Sequence, residues 1–233
     1  LDGNEQYSSI NAFREHWEAW REKEKIRDLL DTGLLLIEQP AHRDESFSSS
    51  VATEFADWPG RPSFIIDEAD GAIDSLPRAL SLGYDGVSHK NCKGIVKGLT
   101  NAATLAEEGR KRKRPVHLSG EDLANVGPIA LFQDLAMMAA LGISHVERNG
   151  HHYFKGLSGW PESVQAGMLE NHGDLYHVHA EGYPTLRLCD GMIGLSSLNA
   201  APFGPSELLD VSALERVDPA DSEGFIRSGM PTS

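Results

Sequence analysis

Short apolar runs that stop at a charge alternate along this chain with longer segments of helical periodicity. Phe64-Ile65-Ile66 ends at Asp67-Glu68, preceded by Pro62 and followed by Gly71, and a β-branched run so bounded predicts a buried strand. The same grammar recurs one unit earlier in Leu34-Leu35-Leu36-Ile37-Glu38-Gln39-Pro40 and one unit later in Tyr84-Asp85-Gly86-Val87-Ser88-His89-Lys90. Leu1 to Tyr7, Pro115 to Ser119 and Ser144 to Glu147 read as further strands. Between them, one amphipathic helix is predicted from Ser8 or Ser9, a good N-cap, to about Asp31, with Phe13, Trp17, Trp20, Ile26, Leu29 and Leu30 on its apolar face and Gly33 as its stop. Further helices are predicted around 51–58, from Asp74 or Ser75 to Leu82, and over 94–108, 129–141 and 162–171.

The strand ends fall at Glu38, Asp67, Lys90, Ser119 and Glu147, spaced by the length of one strand-loop-helix unit. Regular alternation of buried strands and helices implies parallel pairing with right-handed crossovers. A doubly wound sheet would fit the alternation, but it needs no polar group at nearly every strand end, and no glycine-rich phosphate turn is present. The expectation is an α/β fold, a TIM-type (β/α) barrel whose chemistry sits at the carboxyl ends of the strands. Residues 1–203 would form it. The segment 204–233, rich in Pro, Asp, Ser and Gly, would be a surface wrap or tail.

Composition narrows the partners. The net charge is −14, which argues against nucleic acid or an anionic membrane. No apolar run approaches membrane-spanning length. Cys92 and Cys189 have neither metal nor redox spacing, so free thiols in a reducing, cytoplasmic setting are expected. The basic run Arg110-Lys111-Arg112-Lys113-Arg114 precedes a strand and reads as a solvated loop at the opposite end from the chemistry. His177 and His179 share a strand face without an evident third ligand, and a packing or surface role is expected. His89 should point away from Lys90 and be structural.

Asp2, Glu38 and Asp67, from three successive strand ends, suit a hard cation such as Mg²⁺. Lys90 at the next strand end is a candidate proton carrier, with burial and a nearby cation lowering its pKa and an ion pair to Glu68 opposing that. A cation beside a base is what abstraction of a proton next to a carboxylate requires.

Asp2-Gly3-Asn4, Ile37-Glu38-Gln39-Pro40, Asp67-Glu68 and Lys90, in this order and at barrel spacing, resemble the barrel domain of the enolase superfamily, nearer the muconate lactonizing enzyme type than the mandelate racemase type with its His-Asp pair. The resemblance runs from Asp2 to about Leu198. It implies a Mg²⁺-dependent lyase or isomerase (dehydratase, cycloisomerase or racemase) that passes through an enediolate, chemistry known for the superfamily at large. It implies Asp2, Glu38 and Asp67 as Mg²⁺ ligands, Asn4 in support, Glu68 paired to Lys90, Lys90 as acid/base catalyst and Glu147 facing a small carboxylate substrate. It also implies that the barrel here is incomplete, holding strands three to eight of the family barrel, without the capping domain and the first two strands. The chain, which starts at Leu1, then reads as a fragment, and self-association into a homo-oligomer stays open. A non-catalytic barrel serving as a binding module is the alternative, and a hydrolase using the same carboxylates with Zn²⁺ or Mn²⁺ a third reading.

Overall fold

The computed structural model describes residues 1–121, 125, 127–147, 154–200, 212 and 214. The expected C-terminal segment 204–233 therefore lies outside the described residues, apart from 212 and 214. The chain divides into two compact units, residues 1–125 with 133–149, and residues 126–132 with 150–233.

The first unit is an α/β structure. Its elements in order are α1 (Ile10–Arg21), α2 (Glu24–Gly33), β1 (Ile37–Glu38), α3 (Ser49–Ala56), β2 (Phe64–Ile66), α4 (Ser75–Leu82), β3 (Gly86–His89), a 3₁₀ turn (Asn91–Lys93), α5 (Ile95–Lys111), β4 (His117–Glu121), α6 (Pro128–Ala140) and β5 (Val146–Glu147), with the division between units passing through α6. The five strands form one parallel sheet in the order β1-β2-β3-β4-β5. Spatial order follows chain order with no reversal, whereas a doubly wound sheet reverses at a switch point. The sheet is compatible with an incomplete TIM-type barrel.

The amino-terminal segment lies along the free edge of β1 through parallel bridges Asp2↔Glu38 and Tyr7↔Ala41. It is not a continuous strand. Asn4 and Glu5 have positive φ (44° and 60°), which lifts them out of the ladder between the two bridges.

One face of the sheet packs on helices. Ile37, Phe64, Ile66 and Val87 join Ile10, Phe13, Trp17, Phe55, Trp58 and Leu76 in a single buried core. Phe13, Phe55 and Trp58 all bring their rings against Phe64, with centroids 5.2–5.7 Å apart. His89 lies on this face too, under Gly98 of α5, with Nε2 at 3.1 Å from Asn91 Oδ1, a structural place as expected. Because strand side chains alternate, the other face receives Glu38, Asp67, Ser88, Lys90, Ser119, Glu121 and Glu147.

The single helix expected over residues 9–31 is two. Between Trp20 and Ile26 the sequence is Arg-Glu-Lys-Glu-Lys, with no apolar residue to hold a turn on the core, and Lys23 turns extended (φ −89°, ψ 112°). Ser9 caps α1, accepting from the Ala12 amide at 3.0 Å. Gly33 is the last helical residue of α2 and not a left-handed cap; that conformation occurs at Gly83 (φ 108°) closing α4. Neither Asp74 nor Ser75 caps α4 by a side chain; the Ser75 hydroxyl instead accepts from Ala72 N.

The basic run is only partly solvated. Arg112 donates to the carbonyls of Tyr84 (2.9 Å) and Leu80, and Arg114 to Asp85 and to the carbonyls of Arg61 and Pro62. Asp85 also accepts from Arg61 (2.6 Å) and from the Phe64 amide (3.1 Å), and both Arg61 and Asp85 are buried. Burial pushes the Asp85 carboxyl up, but the Arg61 and Arg114 hydrogen bonds outweigh it and hold the group below its ordinary value. Arg114 thus bolts the amino ends of β2 and β3 together, and Arg112 ties the end of α5 to the end of α4 and the segment leading into β3.

The second unit contains α7 (Glu162–Asn171), the antiparallel pair β6 (Tyr176–Val178) and β7 (Pro184–Leu186), the hairpin β8 (Leu188–Cys189) and β9 (Met192–Ile193), and α8 (Ser196–Ala200). His179 stacks on Tyr183 at 4.7 Å, consistent with packing. His172 is buried against Phe132 and lies 2.8 Å from the Ser197 hydroxyl.

Removing Asp85 strands two guanidinium groups, one of them buried. Asp85→Ala should therefore cost roughly 3–5 kcal/mol in urea unfolding. Asp31→Ala, which breaks the exposed Arg21–Asp31 pair, should leave the urea midpoint nearly unchanged. Equal losses in the two variants would refute the assignment of Asp85 as the buried bolt.

Candidate functional site

Strand alternation carries the charged residues to one face, and the ends of adjacent parallel strands bring them together. Carboxylate oxygens of Glu38 (end of β1), Asp67 (after β2) and Glu121 (end of β4) all lie within 4.8 Å of one another, and Glu38 and Asp67 are buried. Lys90, following β3, lies among them: its Nζ is 2.7 Å from Asp67 Oδ2 and 2.7 Å from Glu121 Oε2.

Asp67 is held on every side. Its amide donates to Gln39 Oε1 at 2.8 Å, and the Ala69 amide shares that acceptor at 3.2 Å. Gln39 is buried, and its Nε2 donates to Ala41 O (2.7 Å) and Ser46 Oγ (2.6 Å). The amide oxygen fixes the turn that carries Asp67 and Glu68, and the two N–H groups anchor the side chain to the segment after β1. Gln39 has φ 34°, a left-handed conformation unusual for a residue other than Gly, Asn or Asp. On the other side, Lys93 Nζ reaches Asp67 Oδ1 at 2.5 Å.

The expected residues take the following places. Asp2 is joined to Glu38 by a backbone bridge, and its carboxylate accepts from the Asn4 amide (2.9 Å) and from Asn4 Nδ2 (2.6 Å). Asp2 is exposed and stands outside the three-carboxylate group, yet its charge contributes to raising Glu38. Glu147 pairs with Glu121 in the ladder, is exposed, and also adds to the field on Glu38. Glu68 was expected to pair with Lys90. The ion pairs of Lys90 among the described residues go to Asp67 and Glu121 instead, and Glu68 Oε2 is buried without a hydrogen bond. The turn fixed by Gln39 aims Asp67 at the lysine and leaves Glu68 acting on it only at longer range.

Glu121, Lys93 and Gln39 were not foreseen. The strand expected to stop at Ser119 continues through Gly120, whose missing side chain makes room for Met138, to Glu121. His117, Ser119 and Gly120 interrupt the apolar pattern before Glu121, so no run stopping at an acid marks this strand end.

The electrostatics pull the carboxylates apart. Burial, followed by the charge of Asp67, pushes Glu38 up to about 8. Burial alone would raise Asp67 as well, but Lys93 and Lys90 outweigh it and hold its carboxyl below the ordinary range. Burial and the Asp67 charge raise Glu68. Lys90 would be lowered by burial; hydrogen bonds to Asp67 and Glu121 reverse that and keep it above an ordinary lysine. Burial acts on Lys90 in the expected direction, and the opposing ion pairs come from Asp67 and Glu121. Neighbouring groups driven in opposite directions inside a cluster are a physical mark of a functional site.

The class these features define is an α/β protein with an acidic, lysine-containing site at the carboxyl end of a parallel sheet. A solved structure of a mandelate racemase/muconate lactonizing enzyme from Roseiflexus sp. resembles this chain with a TM-score of 0.40 and 23% identity over 64% of this chain and 38% of that one, so the chain spans well under half the length of that protein. No family model matches the sequence. No curated protein matches it either. Among the described residues no helix is long and apolar enough to cross a membrane.

A raised carboxyl means that folding favours its protonated form. The Glu38 contribution to stability is full below about pH 4.5, its ordinary pKa, and is lost as pH rises through about 8. Between about pH 5 and 9, the native protein should therefore lose stability relative to Glu38→Gln, by on the order of a few kcal/mol. Urea unfolding of both proteins across that range checks this; parallel curves would refute the raised Glu38.

Proposed function

We propose that this chain carries the metal and acid/base site of a Mg²⁺-dependent lyase or isomerase of the enolase superfamily, one that removes the proton α to a substrate carboxylate. The observation that carries the reading is the placement of the Lys90 ammonium between Asp67 and Glu121, beside Glu38, at the ends of adjacent parallel strands.

The donor set suits a hard divalent cation, being all carboxylate oxygen and carrying more negative charge than its two lysines offset. Burial first and the charge of Asp67 second place the Glu38 pKa near 8, and a divalent charge beside the carboxyl would pull it down. Asp2, Glu38 and Asp67 would hold the ion. Glu121 is engaged with Lys90, whereas Asp2 meets only the Asn4 donors in the described contacts, which orient a carboxylate and leave it lone pairs to share. When bound, the cation would supply positive charge to a substrate carboxylate as its α-proton leaves.

The protein's own residues would do the rest. Among the described residues Lys90 Nζ uses two N–H groups, on Asp67 and Glu121, and its third would be free for a substrate. As an ammonium it donates a proton; as an amine it accepts one. The balance depends on how much charge of Asp67 and Glu121 faces it. Glu68, with its raised pKa and half-buried carboxyl, would tune the same field, and Glu147 would face the substrate from the β5 end.

A non-catalytic scaffold is the second reading. It is favoured by one observation: both oxygens of Asp67 are already compensated by ammonium groups, so the cluster balances much of its charge without a metal.

Mn²⁺ titration followed by the electron-spin signal of the free ion separates these readings. Asp67→Asn and Asp2→Asn should each weaken binding by at least about tenfold, and Glu121→Gln by less. A larger loss in Glu121→Gln than in Asp2→Asn would move the ion into the Glu38–Asp67–Glu121 group. With a panel of sugar acids and α-substituted carboxylates in deuterated water, Mg²⁺-dependent exchange at the α-carbon should occur and vanish in Lys90→Ala. Exchange that survives Lys90→Ala would sink the assigned base. Absence of both Mn²⁺ binding and exchange would establish the scaffold reading.

A further inference from the structure

We infer that Lys93 is a positioning residue for Asp67, so that the two lysines of Lys90-Asn91-Cys92-Lys93 divide the work: Lys93 fixes the carboxylate and Lys90 is left to act on a substrate. The inference rests on the proposed function for what Asp67 holds, and on contacts alone for how Lys93 holds it.

Lys93 ends the 3₁₀ turn after β3, three residues beyond Lys90, and about one turn of that helix returns its side chain toward the same strand ends. Its ammonium has three N–H groups and three acceptors: Asp67 Oδ1 at 2.5 Å, Asp67 O at 2.8 Å and Ser88 O at 2.9 Å. The side chain is mostly buried, at 14% exposure. Every donor is spent, so Lys93 has no N–H direction to offer a substrate. Lys90, with two carboxylate partners, does.

The three acceptors belong to two strands. Asp67 O and Oδ1 lie just past β2, and Ser88 O lies within β3, so the ammonium ties the end of one strand to its neighbour and sets the carboxylate plane at once. Gln39 secures the Asp67 amide from β1. The carboxylate therefore has its main chain held by a neutral amide and its oxygens placed by a cation. A flexible point charge suits this role, because its three donors diverge from one nitrogen to the three oxygens, where a guanidinium would present a planar fork.

The role has an unusual sign that makes it testable. A lysine beside a cation site repels the cation, so deleting a bystander charge should tighten binding. Deleting a residue that orients a ligand should weaken it. In Lys93→Met the apparent Mn²⁺ affinity should fall by about tenfold or more, and Lys93→Arg, which restores the charge but not the three-way geometry, should recover only part of it. Tighter binding in Lys93→Met, or full recovery in Lys93→Arg, would overturn the inference.

A second readout needs no metal. In ¹H–¹⁵N spectra of the ammonium groups, the wild-type protein should show a slowly exchanging signal that disappears in Lys93→Met and shifts in Asp67→Asn. Its absence from the wild type would overturn the contact itself, and with it the inference. If the signal is present but the wild type binds no Mn²⁺, the proposed function falls, and the part of the inference that concerns a cation falls with it.

Discussion

The structure depends on gathering negative charge at one end of a parallel sheet and holding it there. Carboxylates repel one another and resist leaving water, so a cluster of Glu38, Asp67 and Glu121 in a partly buried place can persist only with compensation. Lys90 and Lys93 supply it at Asp67, while Glu38 yields by holding its proton to about pH 8. The pKa pattern, the conformation of Gln39 and the closing of the Asp67–Ala69 turn are different responses to one electrostatic problem.

The other end of the sheet solves a related problem with different chemistry. There a single buried carboxylate, Asp85, gathers two arginines and a backbone amide. Planar guanidinium groups, fixed by several carbonyls each, make a static joint. At the site end the cations are lysines, one of them with an N–H to spare. The contrast between arginine at the joint and lysine at the site suits what each is asked to do: the first only holds, and under the proposed function the second would hold and also exchange a proton.

The fold was largely legible in the sequence because its signals are local. A buried parallel strand is a short apolar run, and the runs around Ile37, Phe64–Ile66 and Val87 were visible as such. The stops at Glu38, Asp67 and Lys90 were visible too, since burial forces an abrupt change from apolar to charged where a strand leaves the core. The helix over 162–171 agrees residue for residue with the spacing. Where local signals were weak the reading slipped. The charged stretch Arg21–Lys25 hid a helix break, and the polar, glycine-containing end of β4 carried no apolar signal past Ser119.

By itself the sequence determined the strand ends near Glu38, Asp67, Lys90 and Glu147, the parallel α/β class, and the face each strand residue takes, because these follow from periodicity and chain order. Only the tertiary structure decided who pairs with whom. That Lys90 meets Asp67 and Glu121 and not Glu68, that Lys93 belongs to the site, that Gln39 closes the turn, and that Arg112 and Arg114 are bolts in place of loop charges all depend on distances between residues far apart in the chain. Pairing across strands is set by register and by which carboxylate a fixed turn points inward, and neither leaves a mark in the spacing of a single sequence.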